Sequence, residues 1–289
     1  MLPCRSARRT DAAVLLAALC LAAPVPANTV VLTSSKDNTL IEAAGGAMSN
    51  ALGDVFAGRV GVFGSGTTRR GLMTFDIAGN IPAGSTINSV TLTLTLVSAP
   101  FGSGNQPVEL HRALADWGEG TSFFPGGQGA PSTPGDATWI HTFFDTQFWA
   151  KAGGDFMATP SASILVGTTT GPYTWPSTGE VVADVQAWLH NPGSNFGWLI
   201  KGNEDATSTV RRFGSREALR AQRPVLTVEF TPPAPCPWDC GDGNHVVDVI
   251  DFLALLSQWP GPGTCDVNAD GVIDIVDFLD LLSHYMPCP

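Results

Sequence analysis

The chain of 289 residues is long enough for one large domain and a smaller one, and its 44% apolar content supplies a sizeable core. Only 14% of residues are charged, against about 25% in an average soluble domain, while 32 Gly and 22 Pro follow no fixed period. This mixture excludes a coiled coil and wholesale disorder, and a net charge of −11 argues against a nucleic-acid partner.

Arg5, Arg8 and Arg9 precede an apolar run over residues 12–23, and Val25-Pro26-Ala27 places small residues where an export signal is cut. The pattern predicts a signal peptide over residues 1–27, cleaved near Ala27, and a secreted or cell-surface location. The run is too short for a membrane span, which takes about 20 residues. Residues 10–12 do not extend the Arg8-Arg9 pair into a twin-arginine signal, and Leu19 fits Cys20 poorly as a lipidation site. No other stretch is long and apolar enough to span a membrane, so the mature protein is expected to have no transmembrane segment.

Residues 28–230 read as a β-rich body. Residues 87–97 alternate Val90, Leu92, Leu94 and Leu96 with Thr91, Thr93 and Thr95, giving one apolar and one hydroxyl-bearing face. Pro82-Ala83-Gly84-Ser85 supplies the turn before that strand. Residues 69–77, 197–201 and 224–230 are further strand candidates. Residues 181–190 are the helix-like stretch, with Val181, Val185, Trp188 and Leu189 on one side and Pro192-Gly193 as the stop. Strands joined by Gly/Pro turns predict a jelly-roll β-sandwich.

Residues 115–179 are expected to form a long irregular insertion rich in aromatics. Most of these should pack the insertion down, with Trp117, Trp139, Trp149, Tyr173 and Trp175 as candidates for exposed platforms on which sugar rings stack. No histidine spacing for metal and no G-x-S-x-G elbow is present. Glu180, Asp184, Asp116, Glu119 and Asp136 form the carboxylate pool from which a glycosidase pair would come. Arg211, Arg212, Arg216, Arg220 and Arg223 are either an anion site or, as we favour, partners for internal carboxylates such as Glu217, Asp184 or Asp205.

All 15 Lys and Arg lie before residue 224, and the stiff Pro-rich linker 231–235 leads to an acidic segment, 236–289, without a Lys or Arg. Cys236, Cys240, Cys265 and Cys288 all fall in that segment, an even set that predicts two disulfides in an exported protein; a zinc site is disfavoured because paired C-x-x-C knuckles are missing. Four cysteines allow three connectivities. We lean toward an early cysteine meeting Cys288, since a pseudo-two-fold repeat would bring the ends together.

The repeat is the sharpest signal. Residues 252–259 recur as residues 278–285, and each copy follows an Asp-rich loop. In the second loop Asp266, Asn268, Asp270, Asp274 and Asp277 take positions 1, 3, 5, 9 and 12, with Gly271 at 6 and the Val272 carbonyl at 7. This is the spacing of a wrapped Ca²⁺ loop, whose hard ion takes six to eight oxygens. In the first loop the register gives Asp242, Asn244, Val246, Asp248 and Asp251, but Cys240 stands at position 1 and His245 at position 6. Asp239 could substitute through a one-residue bulge. The alternative for this loop is a structural remnant held by disulfides.

With its tandem loop–helix units, Cys236-Pro237-Trp238-Asp239-Cys240-Gly241 and the ending Pro287-Cys288-Pro289, residues 236–289 resemble a GC-type dockerin of exported bacterial proteins. The resemblance implies a small α-helical, EF-hand-like, calcium-ordered domain that joins its carrier to a cohesin-like or sorting and anchoring protein. The body has a look-alike as well. Arg69-Arg70-Gly71-Leu72-Met73-Thr74-Phe75-Asp76-Ile77, the Pro82 turn, Asp184-Val185-Gln186-Ala187-Trp188-Leu189, Gly197-Trp198-Leu199-Ile200-Lys201-Gly202 and Arg223-Pro224-Val225-Leu226-Thr227-Val228 resemble, in order, the DNRLRE-type module. That implies a jelly roll, in some relatives a carbohydrate-binding module. The expectation is a secreted, non-catalytic, surface-associated protein that contacts polysaccharide. The rival expectations are a purely structural or adhesive coat protein and a polysaccharide-degrading enzyme component.

Overall fold

The computed structural model describes residues 26–286 and Cys288; the predicted export signal, up to residue 25, lies outside the described residues, as do Pro287 and Pro289. The body begins with β1 (Asn28–Leu32), β2 (Lys36–Ile41), β3 (Met48–Ser49), β4 (Val55–Arg59), β5 (Thr68–Thr74), β6 (Thr86–Ser98) and β7 (Gln106–Arg112). It continues through β8 (Ala130–Pro131), β9 (His141–Phe143), β10 (Gln147–Phe148), β11 (Ala162–Val166), β12 (Gly171–Trp175), α1 (Gly179–His190), β13 (Trp198–Gly202), β14 (Arg211–Phe213) and β15 (Val225–Thr231). Two helices, α2 (Val249–Ser257) and α3 (Ile275–Ser283), follow in the acidic segment. None of the helices among the described residues is long and apolar enough to cross a membrane.

The protein is mainly β. Thirteen strands join in one antiparallel sheet whose main path runs β1-β15-β6-β14-β4-β5-β13-β7-β11. β4 is the corner: its residues 55–57 pair with β14 and its residues 58–59 with β5. Gly58 sits at the change of partner with φ +111°, and a Cβ there would meet the Val210 backbone at 3.0 Å, so the corner needs glycine. Both halves close on one core, as in a β-sandwich. Leu92, Leu94, Leu226, Val228 and Phe213 come from one half, and Met73, Trp198, Ile200, Val108 and Leu110 from the other. β6 carries the alternation read from the sequence: Ile87, Val90, Leu92, Leu94 and Leu96 are buried, and the threonines between them are half-buried. Helix α1 starts where the Thr178 hydroxyl accepts the Val181 N–H, and it buries Val181, Val185, Trp188 and Leu189 in the same core.

The insertion differs from the irregular loop expected over 115–179. β11 pairs with β7 and β12 with β6, so its final part belongs to the sheet. The remainder covers the outer face of the β5 half. Leu40, Leu72 and Leu199 point away from the main core and pack with Trp117, Ala137 and Trp149. Three of the five platform candidates are therefore buried. Trp117 donates its indole N–H to the Phe196 carbonyl, Trp149 to Thr138 and Trp175 to Val108, each at 2.9 Å. Trp117 and Trp149 are buried because they, with Ala137 and the partly buried Trp139 and Phe156, settle the long loop on the sheet, and Trp175 because it is a core residue of β12. Trp139 is half-buried beneath the Arg70 guanidinium, and Tyr173 is half-buried against the core with its hydroxyl on the Thr169 carbonyl.

A third apolar cluster lies wholly within residues 236–288. Val247, Leu255, Cys265, Ile273 and Leu281 form its buried centre.

Candidate metal-binding repeat

The acidic segment repeats in three dimensions as it does in sequence. Val247 and Leu255 of the first unit match Ile273 and Leu281 of the second, and Phe252 meets its counterpart Phe278 edge to face at 5.5 Å. Each unit completes the other. The Ile273 N–H donates to the Gly261 carbonyl behind α2, and the Val247 N–H donates to the Met286 carbonyl behind α3. The cysteines form two disulfides, Cys236–Cys288 and Cys240–Cys265. The first joins the two ends of the repeat; with every sulfur bridged, none is a thiolate for zinc.

The two loops share a backbone despite their different residues. Left-handed φ occurs at Gly243 and His245 in the first loop and at the matching Ala269 and Gly271 in the second. His245, at +62°, thus occupies a conformation that Gly271 adopts without steric cost. Asp251 and Asp277 are fully buried. Asp277 accepts the N–H groups of Val267 (3.0 Å), Asn268 (3.3 Å) and Asp274 (2.9 Å). Asp251 accepts those of Gly241 (2.8 Å) and Asp248 (2.9 Å). Burial pushes the Asp277 carboxyl up, but the Asp274, Asn268 and Val267 N–H groups outweigh it and hold the carboxyl below its ordinary range. Asp248 and Asp274 turn back to cap α2 and α3, each forming a reciprocal box with Asp251 or Asp277. Position 9 is therefore engaged with the helix start.

In the first loop Asp239, one residue before the disulfide-bonded Cys240, takes the place that Asp266 has in the second. Asp239 accepts the Gly243 and His245 N–H groups, much as Asp266 accepts those of Asp270 and Gly271. Asp239, Asp242 and Asp251 bring one carboxylate oxygen each within 4.8 Å of one another, an all-oxygen donor set suited to a hard divalent ion. In the second loop Asp266, Asn268 and Asp270 are linked through the Asp270 N–H and the Asn268 amide. Asn244 accepts the Val246 N–H as Asp270 accepts that of Val272, leaving Val246 and Val272 to offer only a carbonyl. The bulge was readable from Asp239; the pairing of Cys240 with Cys265 beside it was not.

The helices present a second repeated feature. Val249, Ile250, Leu253 and Leu256 on α2, and their counterparts Ile275, Val276, Leu279 and Leu282 on α3, are each 43–58% exposed. Trp259 and Tyr285 extend the two faces. Contiguous exposed apolar surface of this kind marks interaction sites.

In the body, four of the five carboxylates considered for catalysis are engaged. Asp184 takes the Ser161 hydroxyl (2.6 Å) and the Trp198 indole N–H (2.8 Å), and burial raises its pKa despite them. Glu119 forms a forked pair with Arg216, and Asp116 pairs with Lys36. Asp136 is buried and accepts the Thr121 and Thr133 N–H groups. Glu180 lies in the first turn of α1, where a carboxylate favours the helix. Two of the five arginines pair with carboxylates, and Arg223 donates to the Ala218 carbonyl. Arg216 meets Glu119 and Glu217, and Arg212 meets Asp54. Asp184 pairs instead with Arg112, and Arg211 is fully buried on carbonyls, including those of Val166 and Thr209.

A scan against protein-family models finds no family that matches the chain, and a search of the curated proteins finds no relative.

Proposed function

We propose that the chain is an exported, surface-associated binding protein without catalytic activity, whose jelly-roll body contacts polysaccharide and whose dockerin-like tail tethers it through calcium. One observation carries the reading: two loop–helix units of matching backbone, the first of which gathers three carboxylates, leave matching apolar helix faces in water. Asp239, Asp242 and Asp251, whose carboxylates converge, would hold one calcium ion; by the spacing of the second loop Asp266, Asn268, Asp270 and Asp277 would hold the other, with the Val246 and Val272 carbonyls available at position 7. The ion would neutralise carboxylates that otherwise repel one another and so fix α2 and α3 beside each other. The apolar faces then suit a cohesin-like or anchoring partner. The engagement of Asp184, Glu119, Asp116 and Asp136 in structural bonds supports a binding role over a hydrolytic one.

Calcium titration of the chelator-stripped full chain, followed by calorimetry and by amide exchange, tests the tether. Heat of binding and slower exchange across residues 239–283 are expected. Equal exchange in calcium and in excess chelator, with no heat, refutes it.

A further inference from the structure

The body carries a cleft that none of the sequence candidates touches. It measures about 420 Å³, within the range of about 300–1,000 Å³ for small-molecule sites. Phe63 stands on its rim, fully exposed on a short turn over residues 62–64. The base of that turn is pinned, because the Gly66 N–H donates to the Gly61 carbonyl and Arg59 Nε to the Gly66 carbonyl. Phe63 is therefore an aromatic face held in water by a fixed backbone, where a loose tip would fold back.

The walls supply directed polar groups. Arg69 is almost fully buried and spends Nε on the Gly127 carbonyl and Nη1 on Thr67 and Thr68, while its Nη2 has no hydrogen-bond partner among the described residues. Burial lowers the Arg69 pKa to about 10, the sign of a cation short of water. Glu42 accepts the Thr68 N–H with one oxygen and places its carboxylate on the cleft wall, and Gln128 brings an exposed amide. Met48 adds apolar surface.

An exposed ring beside a donor, an acceptor and an amide is complementary to a pyranose: its C–H face stacks on the aromatic while its hydroxyls bond to the wall. Glu42 offsets Arg69 within the cleft, and the net charge of −11 repels polyanions, so a neutral sugar fits better than a uronate. We propose that the cleft beside Phe63 is the polysaccharide-binding site of the body, taking a neutral pyranose chain with Phe63 as stacking platform and Glu42, Gln128 and Arg69 as hydroxyl partners. This rests on the polysaccharide reading of the body.

Affinity electrophoresis of the full chain in gels containing xyloglucan, glucomannan, arabinoxylan or polygalacturonate tests both. Retardation by at least one neutral polymer is expected. Phe63→Ala should weaken it about tenfold or more, the loss of one stacking contact. Glu42→Gln should weaken it less, and Phe101→Ala, at an exposed ring on another turn, should leave it unchanged. Melting curves matching the parent establish that the exposed-site variants are folded. Undiminished retardation of Phe63→Ala overturns the site while leaving the polysaccharide reading standing. Retardation by polygalacturonate alone overturns the neutral-sugar assignment. Retardation by none of the four overturns both the site and that reading.

Discussion

Replacing Asp277 with Asn changes one atom of the second loop and tests the physical basis of the tail. The carboxylate accepts three N–H groups, from Val267, Asn268 and Asp274. With Asn, the remaining oxygen can keep Val267 and Asn268 but loses the charge that strengthens each bond, by about 1 kcal/mol apiece. The amide nitrogen then faces the Asp274 N–H, donor against donor, and that orphaned group costs about 1–3 kcal/mol. The total of about 3–5 kcal/mol equals what a core of this size supplies in all. Amide exchange of the full chain in chelator, resolved by peptide, should therefore speed up by about two to nearly four orders of magnitude over residues 266–283. The body peptides should not change. Exchange within about threefold of the parent would refute the claim that this carboxylate organises loop and helix together. The same bonds fix the sign with pH. Because the folded Asp277 carboxyl titrates below its ordinary value, its contribution is complete above the unfolded pKa of about 4 and is lost as pH falls through the folded one.

Three other perturbations separate the parts. Trp175→Ala should cost the body about 3–5 kcal/mol in urea unfolding, since it opens the core and strands the Val108 carbonyl; a loss below about 1 kcal/mol would show that the ring is not core. Replacing Cys240 and Cys265 by Ser frees a loop of 25 residues and should cost the tail about 3.5 kcal/mol, read as faster exchange of its amides; unchanged exchange would refute this. Asp37 is buried, and burial above all raises its pKa to about 8, assisted by Glu217 and Glu119 and opposed by the Arg216 N–H and Ser34 hydroxyl. Between about pH 4 and 8 the folded chain keeps a proton that the unfolded chain has lost, so this group should make stability fall by about 1.4 kcal/mol per pH unit and level off above that. Urea midpoints of the parent and Asp37→Asn at intervals from pH 5 to 9 should diverge with that slope, and parallel curves would refute it.

Where one residue's neighbours decide its fate, the sequence was readable. The alternation of 87–97, the turn before it and the amphipathic stretch 181–190 all depend on period and local chemistry, and each stands where expected. β2 was not legible, because Lys-Asp-Asn-Thr is a turn-like string. It is buried as a strand because distant groups satisfy it: Asn38 donates to the Glu119 and Ala137 carbonyls and accepts the Ser49 hydroxyl. For the same reason the aromatics of the insertion could not be divided into platform and core, since burial depends on which sheet face lies beneath them. Phe63 gave no sequence signal at all; only the fold places it beside Glu42, Arg69 and Gln128.

The Cys236–Cys288 bond encloses the repeat in a covalent ring, with the Cys240–Cys265 bond as a chord across it. Tension arriving through the proline-rich linker enters at Cys236 and meets that ring before it meets any hydrogen bond of the loops. Drag on a surface-held protein would thus be borne by sulfur, and the apolar faces of α2 and α3 would keep their shape under load.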